Sequence, residues 1–428
     1  MMRKMRNLNG GPDHWWESAV FYELYVDKFA GDFRGLQKKL DYFKRLGVTA
    51  LHLLPFYPSP MVDDGYDVSD YRGIRKELGD LKDFELFAKA AAKSGLRIMA
   101  DLVVNHVSTE HPWFQEAIKP KKSKYRDYFL WSDTGKELSA APNAFPHLKP
   151  SNWIFNAASG AYYFSTFYPE QADLNWDNAE ILEEILKIMD FWVKRGVSGF
   201  RLDAASHLIK RENSSSKGLP ETHAVLKKLR AHVDKNYPAT ALLAETHDSV
   251  SEIRKYFGNG DECQLVYNFP LAEAFFLKLA LDDGEALQSV QRAAEIPKHC
   301  RWANFLRNHD ELSLNTLTEA ERRRLLESVD AAGARDFKNK MGLSMRLAGI
   351  LGGDREKIIN AFNLLAAAPG LPIIYYGDEL GMRSLPADEQ FRDTRRYVRG
   401  FFDWQEAERQ MRDPDSLFHA VRLAISNR

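Results

Sequence analysis

Arg97-Ile-Met-Ala-Asp101-Leu-Val-Val-Asn105-His106 is the stretch on which the fold turns. It is an apolar run of strand length that closes on polar residues. It follows a segment, Phe84 to Ala92, whose apolar residues recur three and four apart, as on one face of a helix. A helix feeding an apolar strand is the repeating unit of a parallel sheet covered by helices. Outward from this point the alternation repeats. Strands are predicted at Ala19–Val26, Thr49–Pro55, Gly199–Ala204, Ala241–Glu245, Leu265–Asn268, Trp302–Asn308 and Leu371–Tyr376, which with Arg97–Val104 makes eight. Covering helices are predicted at Leu36 to Leu46, Ile181 to Val193 and His223 to Val233. The fold class is α/β, a (β/α)₈ TIM barrel.

Such a barrel fills about 250 residues, and this chain has 428, so insertions are expected. The largest follows the third strand. From Val107 to Gln171 the text is irregular and rich in Lys, Pro, Ser, Asn and aromatics, and it reads as a subdomain over the barrel mouth. The expected organisation is a first barrel part over 1–104, an inserted subdomain over 105–172, and the rest of the barrel with a C-terminal helical extension over 173–428. A second excursion, Thr316 to Glu356, is charged and helical in pattern, and Asp415 to Ile425 is a last helical run.

Composition removes several function classes. Lys plus Arg (59) balances Asp plus Glu (60), which leaves no charge imbalance to attract nucleic acid. The apolar runs stop well short of the roughly 20 residues a membrane helix needs, so no membrane association is expected. Met1 to Asn9 is basic but has no apolar run behind it, unlike a signal peptide. Cys263 and Cys300 suit a reducing compartment, although one bridge stays open, and the expected location is cytoplasmic. No Gly-x-Gly-x-x-Gly or Walker loop offers a nucleotide site, and no His-Glu-x-x-His or Cys-x-x-Cys pair offers a zinc site.

In a parallel barrel, chemistry sits at the C-terminal strand ends, so polar residues that close an apolar strand are the ones to collect. The fourth strand ends Gly199-Phe-Arg201-Leu-Asp203, the fifth Leu-Leu-Ala-Glu245, the seventh Phe-Leu-Arg-Asn308-His309-Asp310. Arg201 and Asp203 are two residues apart and share the inward face. A neighbouring guanidinium should lower the Asp203 pKa and suit it to be a nucleophile. Partial burial and adjacent negative charge should raise that of Glu245 and suit it to be a general acid. Cleaving a glycosidic bond with retention needs this pair of roles. Asp310, His309 and His106 are expected around the sugar hydroxyls. A lone Arg-x-Asp or a strand-end Glu is more often a structural ion pair; several such motifs in order on predicted strand ends reverse that reading.

These motifs, in this order, resemble the shared regions of glycoside hydrolase family 13, the α-amylase family, over nearly the whole barrel. The resemblance implies Asp203 as nucleophile, Glu245 as acid/base and Asp310 as transition-state stabiliser, with Arg201, His106 and His309 around the first sugar. Asp64-Gly65-Tyr66-Asp67 resembles the segment whose Asp64 and Tyr66 line the pocket for a terminal glucose. Gln171-Ala-Asp173-Leu-Asn175 is similar to the oligo-1,6-glucosidase-like branch. Within that branch, Leu54-Pro-Phe-Tyr-Pro-Ser-Pro-Met-Val-Asp-Asp64, Leu219-Pro-Glu-Thr-His223 and Asn308-His-Asp-Glu-Leu312 resemble trehalose synthases. In Tyr397-Val-Arg399-Gly-Phe-Phe, Arg399 stands where relatives hold the first sugar, with Arg392, Arg395 and Arg396 as competitors.

The resemblance thus implies a retaining enzyme that isomerises maltose and trehalose through a covalent glucosyl intermediate. The alternatives are an α-glucosidase, or a hydrolase or transglucosidase acting on sucrose or maltooligosaccharides. A catalytically inactive binding barrel is a further alternative, opposed by the joint presence of Asp203, Glu245 and Asp310. The partner is a small oligosaccharide such as maltose, trehalose, sucrose or a short α-glucan, and a homo-oligomer stays open. No cofactor is needed for the chemistry. A structural calcium is implied at Asn105 and Asp173 with the His207 carbonyl nearby; the other reading has those two side chains hydrogen-bonding loop backbone. Three features depart from trehalose synthases: Lys28-Phe-Ala-Gly31-Asp32-Phe33 is too short for their acidic metal loop, Thr-His-Asp follows Glu245, and a C-terminal β-sandwich is expected to be absent because little chain follows Phe401-Phe-Asp-Trp404.

Overall fold

Eight short strands close on one another in parallel: β1 (Phe21–Leu24), β2 (Ala50–Leu53), β3 (Arg97–Val103), β4 (Gly199–Asp203), β5 (Ala241–Ala244), β6 (Leu265–Tyr267), β7 (Arg301–Phe305) and β8 (Leu371–Tyr375). The order around the barrel is the chain order, and β8 returns to pair with β1 through Phe21 and Ile373. Each strand falls inside or within one residue of its predicted span, because an apolar run buried on both faces is the plainest strand signal in a sequence. The computed structural model describes residues 14–119, 123–292, 295–329, 336–337, 341–386, 388, 391 and 393–428. The readings made for Met1 to Asn9 and Arg392 lie outside these residues, as does part of the charged excursion.

Alternation along the strands divides the barrel interior into two levels. The lower level is apolar: Phe21, Ala50, Met99, Leu243, Leu265, Ala303 and Ile373 form one cluster, closed from below by Trp16. Two residues further along the same strands come Glu23, His52, Asp101 and Arg201, all fully buried. A two-residue step keeps the face and moves about 6.6 Å up the barrel. The charged layer therefore stands at the C-terminal rim, on top of a dry plug.

The outer helices form where the 3.6-residue period is strong. Leu81–Lys93 starts at Asp80, whose side chain accepts from the Asp83 N–H at 2.9 Å while the Asp83 carboxylate accepts from the Asp80 N–H, and it buries Phe84, Phe87, Ala88 and Ala91. Ala179–Val193 is capped by Asn178 and buries Ile181, Ile185, Ile188, Met189 and Trp192. The predicted helix Leu36 to Leu46 is two, Phe33–Lys38 and Leu40–Leu46, with Lys39 between them.

Between β3 and Ala179–Val193 the chain makes two small antiparallel sheets. His106–Ser108 pairs with Gln171–Asp173, and Ala161–Phe164 is flanked by Trp131–Ser132 and Trp153–Asn156. The first sheet ties the two ends of this segment to the rim beside β3. Beyond β8 come helices Trp404–Arg412 and Leu417–Ser426, the latter packed on Arg355–Ala367. Among the described residues no helix is long and apolar enough to cross a membrane.

Candidate active site

Arg201, at the end of β4, is the hub of the rim. It is fully buried; one terminal nitrogen lies 2.7 Å from Asp101 and 2.6 Å from Asp203, and the other is ion-paired to Glu245. A planar guanidinium offers donors in a fixed fork, so it holds these acids of three adjacent strands in set directions. The chain leaves β4 through Ala204, which is left-handed at φ +48°, and its N–H donates to Glu245 at 3.1 Å. A non-glycine residue in this region costs about 1 kcal/mol or more and is kept where the surroundings enforce it.

The other predicted pocket residues converge on the same place. Tyr66 donates to Asp101 at 2.9 Å and stands 2.6 Å from His309 Nε2. His309 Nδ1 donates to Glu23, which also accepts the His309 backbone N–H. Gly65, at φ +108°, lets the turn pass Pro55, whose carbonyl a β-carbon there would crowd at 3.0 Å. Arg399 donates to Asp64 at 2.6 Å, to Asp310 at 2.7 Å and to the His309 carbonyl at 2.9 Å. Arg395 reaches Asp310 as well, at 3.0 Å, and Asp63 and Asp393 besides. Arg396 stops 3.6 Å from Asp64.

Burial and charge set the protonation of the cluster. Burial pushes the Asp203 carboxyl well up; Arg201 pulls it back, and the charges of Glu245, Asp101 and Asp310 push it up again. Arg201 thus lowers it as expected, but the net shift is upward, against the expectation of a lowered carboxyl. One guanidinium shared among three acids, in a dry site, does not outweigh burial and like charge. Asp310 goes the other way: against the cost of burial, His309, Arg395, Arg399 and Arg201 hold it well below the usual carboxylate range. Burial takes His106 down to about 4, so it is neutral near pH 7.

A cavity of about 570 Å³ opens over these groups, lined by Asp203, Glu245, Tyr66, His106 and Asp310 on one side. Its other side lies beyond Glu245, and of its walls only His247, in the Thr-His-Asp run after Glu245, stood out in the sequence. There His247 stacks on Phe269 with ring centres 4.4 Å apart and shares a 2.7 Å hydrogen bond with Ser313, while Phe145 and Phe167 from the inserted segment form the roof. These contacts join residues far apart in sequence, and no local spacing marks them.

Asn105 and Asp173 do come together, but a side chain stands between them. Lys210 Nζ donates to Asn105 Oδ1 at 2.7 Å, pairs with Asp173 at 2.7 Å and also donates to the His207 carbonyl. These are the three oxygens the calcium reading needed. Asp173 accepts from the Thr166 N–H at 2.9 Å as well. With a buried ammonium on every oxygen of the set, the residues present do not fit a calcium ion. The reading from sequence is corrected because Lys210, alone in a loop, belongs to no motif.

The chain is thus a TIM barrel with a long segment after its third strand and the acids of three adjacent strands gathered on one arginine. The chain belongs to the α-amylase family: the family model for the alpha amylase catalytic domain matches residues 7–339. It is 42% identical over 401 residues to the trehalose synthase of Thermus thermophilus, covering 92% of this chain and 41% of that protein. It is 33% identical to the glucan 1,6-alpha-glucosidase of Streptococcus pneumoniae serotype 4, covering 87% of this chain and 67% of the other. Among solved structures it is similar to the trehalulose synthase MutB from Pseudomonas mesoacidophila MX-45, with a TM-score of 0.77, 25% identity, and coverage of 96% of this chain and 84% of the other. The chain thus spans about two fifths of the length of the Thermus relative.

Proposed function

We propose that the protein is a retaining enzyme that moves a glucosyl unit within a short α-glucoside, interconverting maltose and trehalose. The observation that carries the reading is the single guanidinium of Arg201 bound to both Asp203 and Glu245 at the floor of the cavity. Retaining chemistry needs two carboxyls about 5–5.5 Å apart, whereas inversion needs about 6.5–9.5 Å to admit a water, and two acids sharing one arginine favour the shorter gap.

In this reading Asp203, once ionised, attacks the anomeric carbon and forms a covalent glucosyl ester. Glu245 gives its proton to the departing oxygen, then takes one from the incoming hydroxyl. Asp310, held ionised by its arginines, and His309 bind ring hydroxyls and oppose the positive charge of the oxocarbenium-like transition state. The freed glucose turns between Phe145, Phe167, His247 and Phe269 and re-attacks through another hydroxyl; exclusion of water by these walls keeps the outcome isomerisation. A cytoplasmic location accords with the two buried free cysteines.

Hydrolysis of short α-glucosides is the second reading, and the 33% identity to a glucan glucosidase favours it. Purified protein is incubated with maltose, trehalose and sucrose and the products identified by NMR. Trehalose formed from maltose, and maltose from trehalose, supports isomerisation. Free glucose alone assigns the hydrolase, and no turnover of any of the three sinks both. Glu245→Gln with an α-glucosyl fluoride, which needs no acid to leave, should accumulate a protein heavier by one glucosyl unit on Asp203.

A further inference from the structure

The Lys210 ammonium sits where three parts of the molecule meet: the end of β3 through Asn105, the returning strand of the inserted segment through Asp173, and the turn after β4 through the His207 carbonyl. Lys210 is 8% exposed and both side-chain partners are fully buried. An ammonium has three N–H donors and no acceptor, and here three different oxygens receive them. A calcium ion would need six to eight oxygens at about 2.3–2.6 Å, and it cannot share these three with a nitrogen already bound to them.

The local charge agrees with the geometry. Lys149, also buried, donates to Asn152 at 2.9 Å and to the Ser165 carbonyl, close enough for its charge to act on Asp173 and Lys210. Two buried lysines therefore face one buried aspartate, and a divalent cation would enter a pocket already net positive.

The network continues to the cavity. The Asn105 amide that holds Lys210 with its oxygen stands 3.3 Å from His106 Nδ1 with its nitrogen. Among the described residues the His106 Nε2 atom has no hydrogen-bond partner, and His106 lines the cavity.

We propose that Lys210 replaces a structural divalent cation in this chain: its ammonium fastens the inserted segment to the barrel rim and, through Asn105, fixes the direction of His106 toward the substrate. Lys210 is thus a positioning residue, and this role stands whichever α-glucoside is turned over.

The test uses the full chain in thermal unfolding, with a chelator or with millimolar calcium chloride. The wild-type midpoint is expected to be the same in both. Lys210→Glu turns the donor into a fourth oxygen ligand; it is expected to unfold earlier, or to be insoluble, without calcium, and to recover by several degrees with it. Lys210→Gln keeps a polar stem but loses the charge. It is expected to lower the midpoint without any response to calcium and to raise KM more than it lowers kcat, as His106 loses its orientation. A wild-type midpoint that falls with chelator and returns with calcium overturns the proposal. So does a Lys210→Glu chain that folds but ignores calcium, or one that fails to fold even with it.

Discussion

At the scale of single residues the site is a set of acids kept apart in behaviour by unequal shares of positive charge. Arg201 serves Asp101, Asp203 and Glu245 together, while Asp310 has Arg395 and Arg399. Asp203→Asn removes the proposed nucleophile and is expected to lower kcat by at least about 10⁴-fold; unchanged turnover would assign the chemistry elsewhere. In the proposed reaction Asp203 must lose its proton to attack, and its carboxyl is pushed upward, so kcat/KM should rise with pH through a midpoint above the usual carboxylate value of about 4. That midpoint belongs to the coupled cluster of acids. Because the Asp310 charge is one of the causes that raise Asp203, the residual activity of Asp310→Asn should show its acid limb at lower pH. A pH-rate profile of both proteins checks the direction. Arg399 makes three separate hydrogen bonds, and a lysine cannot reach all of them. Arg399→Lys is expected to weaken kcat/KM by about 10- to 100-fold, and full activity in this variant would show that its bonds to Asp64 and Asp310 do not serve the reaction.

At the scale of elements, the strand ends deliver the functional groups and the helices hold the strands. The reciprocal bonds of Asp80 and Asp83 satisfy the first turn of Leu81–Lys93, and Arg34 reaches Asp83 at 2.7 Å from a neighbouring helix. Asp80→Ala leaves backbone donors of that turn without a partner and is expected to cost about 1 kcal/mol. The measurement is a urea midpoint that falls at constant slope; an unmoved midpoint would mean that packing of Phe84 and Phe87 alone fixes the helix start. The turns that follow the strands carry the strain instead. Ala204 and Asp64 are both left-handed; the Ala204 N–H donates to Glu245, and the Asp64 carboxylate accepts from Arg399.

At the scale of the whole molecule, burial of acids makes stability depend on pH. Glu379, in the turn after β8, is fully buried and accepts from Tyr22 at 2.7 Å and from Tyr42, and burial pushes it from 4.5 up to about 7. Between those values the folded chain binds more protons than the unfolded one, so raising the pH across this window lowers stability. The loss is on the order of 3 kcal/mol, complete above the folded value. Glu379→Gln keeps the accepting oxygen for both tyrosines and has no proton to lose. Its melting temperature is expected to vary less between pH 5 and pH 8 and to exceed the wild type at the upper end, and parallel curves for the two proteins would contradict this.

The sequence alone determined the eight strands and the identity of the rim acids, because both are local properties. An apolar run buried on both faces reads as a strand by itself, and Asp203 closes such a run, Glu245 follows one directly and Asp310 comes a short step after another. The inward step from Met99 to Asp101 or from Gly199 to Arg201 is likewise fixed by the two-residue period. Only the tertiary structure decided how charge is shared among those residues. Arg201 serves three acids, so Asp203 is pushed up where a two-residue motif suggested the reverse. Arg395 and Arg399 both reach Asp310, Arg395 lining the cavity and Arg399 bonding Asp64 as well, while Arg396 stops at Asp64. Lys210, His247 and Phe167 gained their places from contacts between segments distant in the chain. Protonation, cation preference and the shape of the acceptor side depend on the sum of distances and burial around a group, and no local pattern of residues contains that sum.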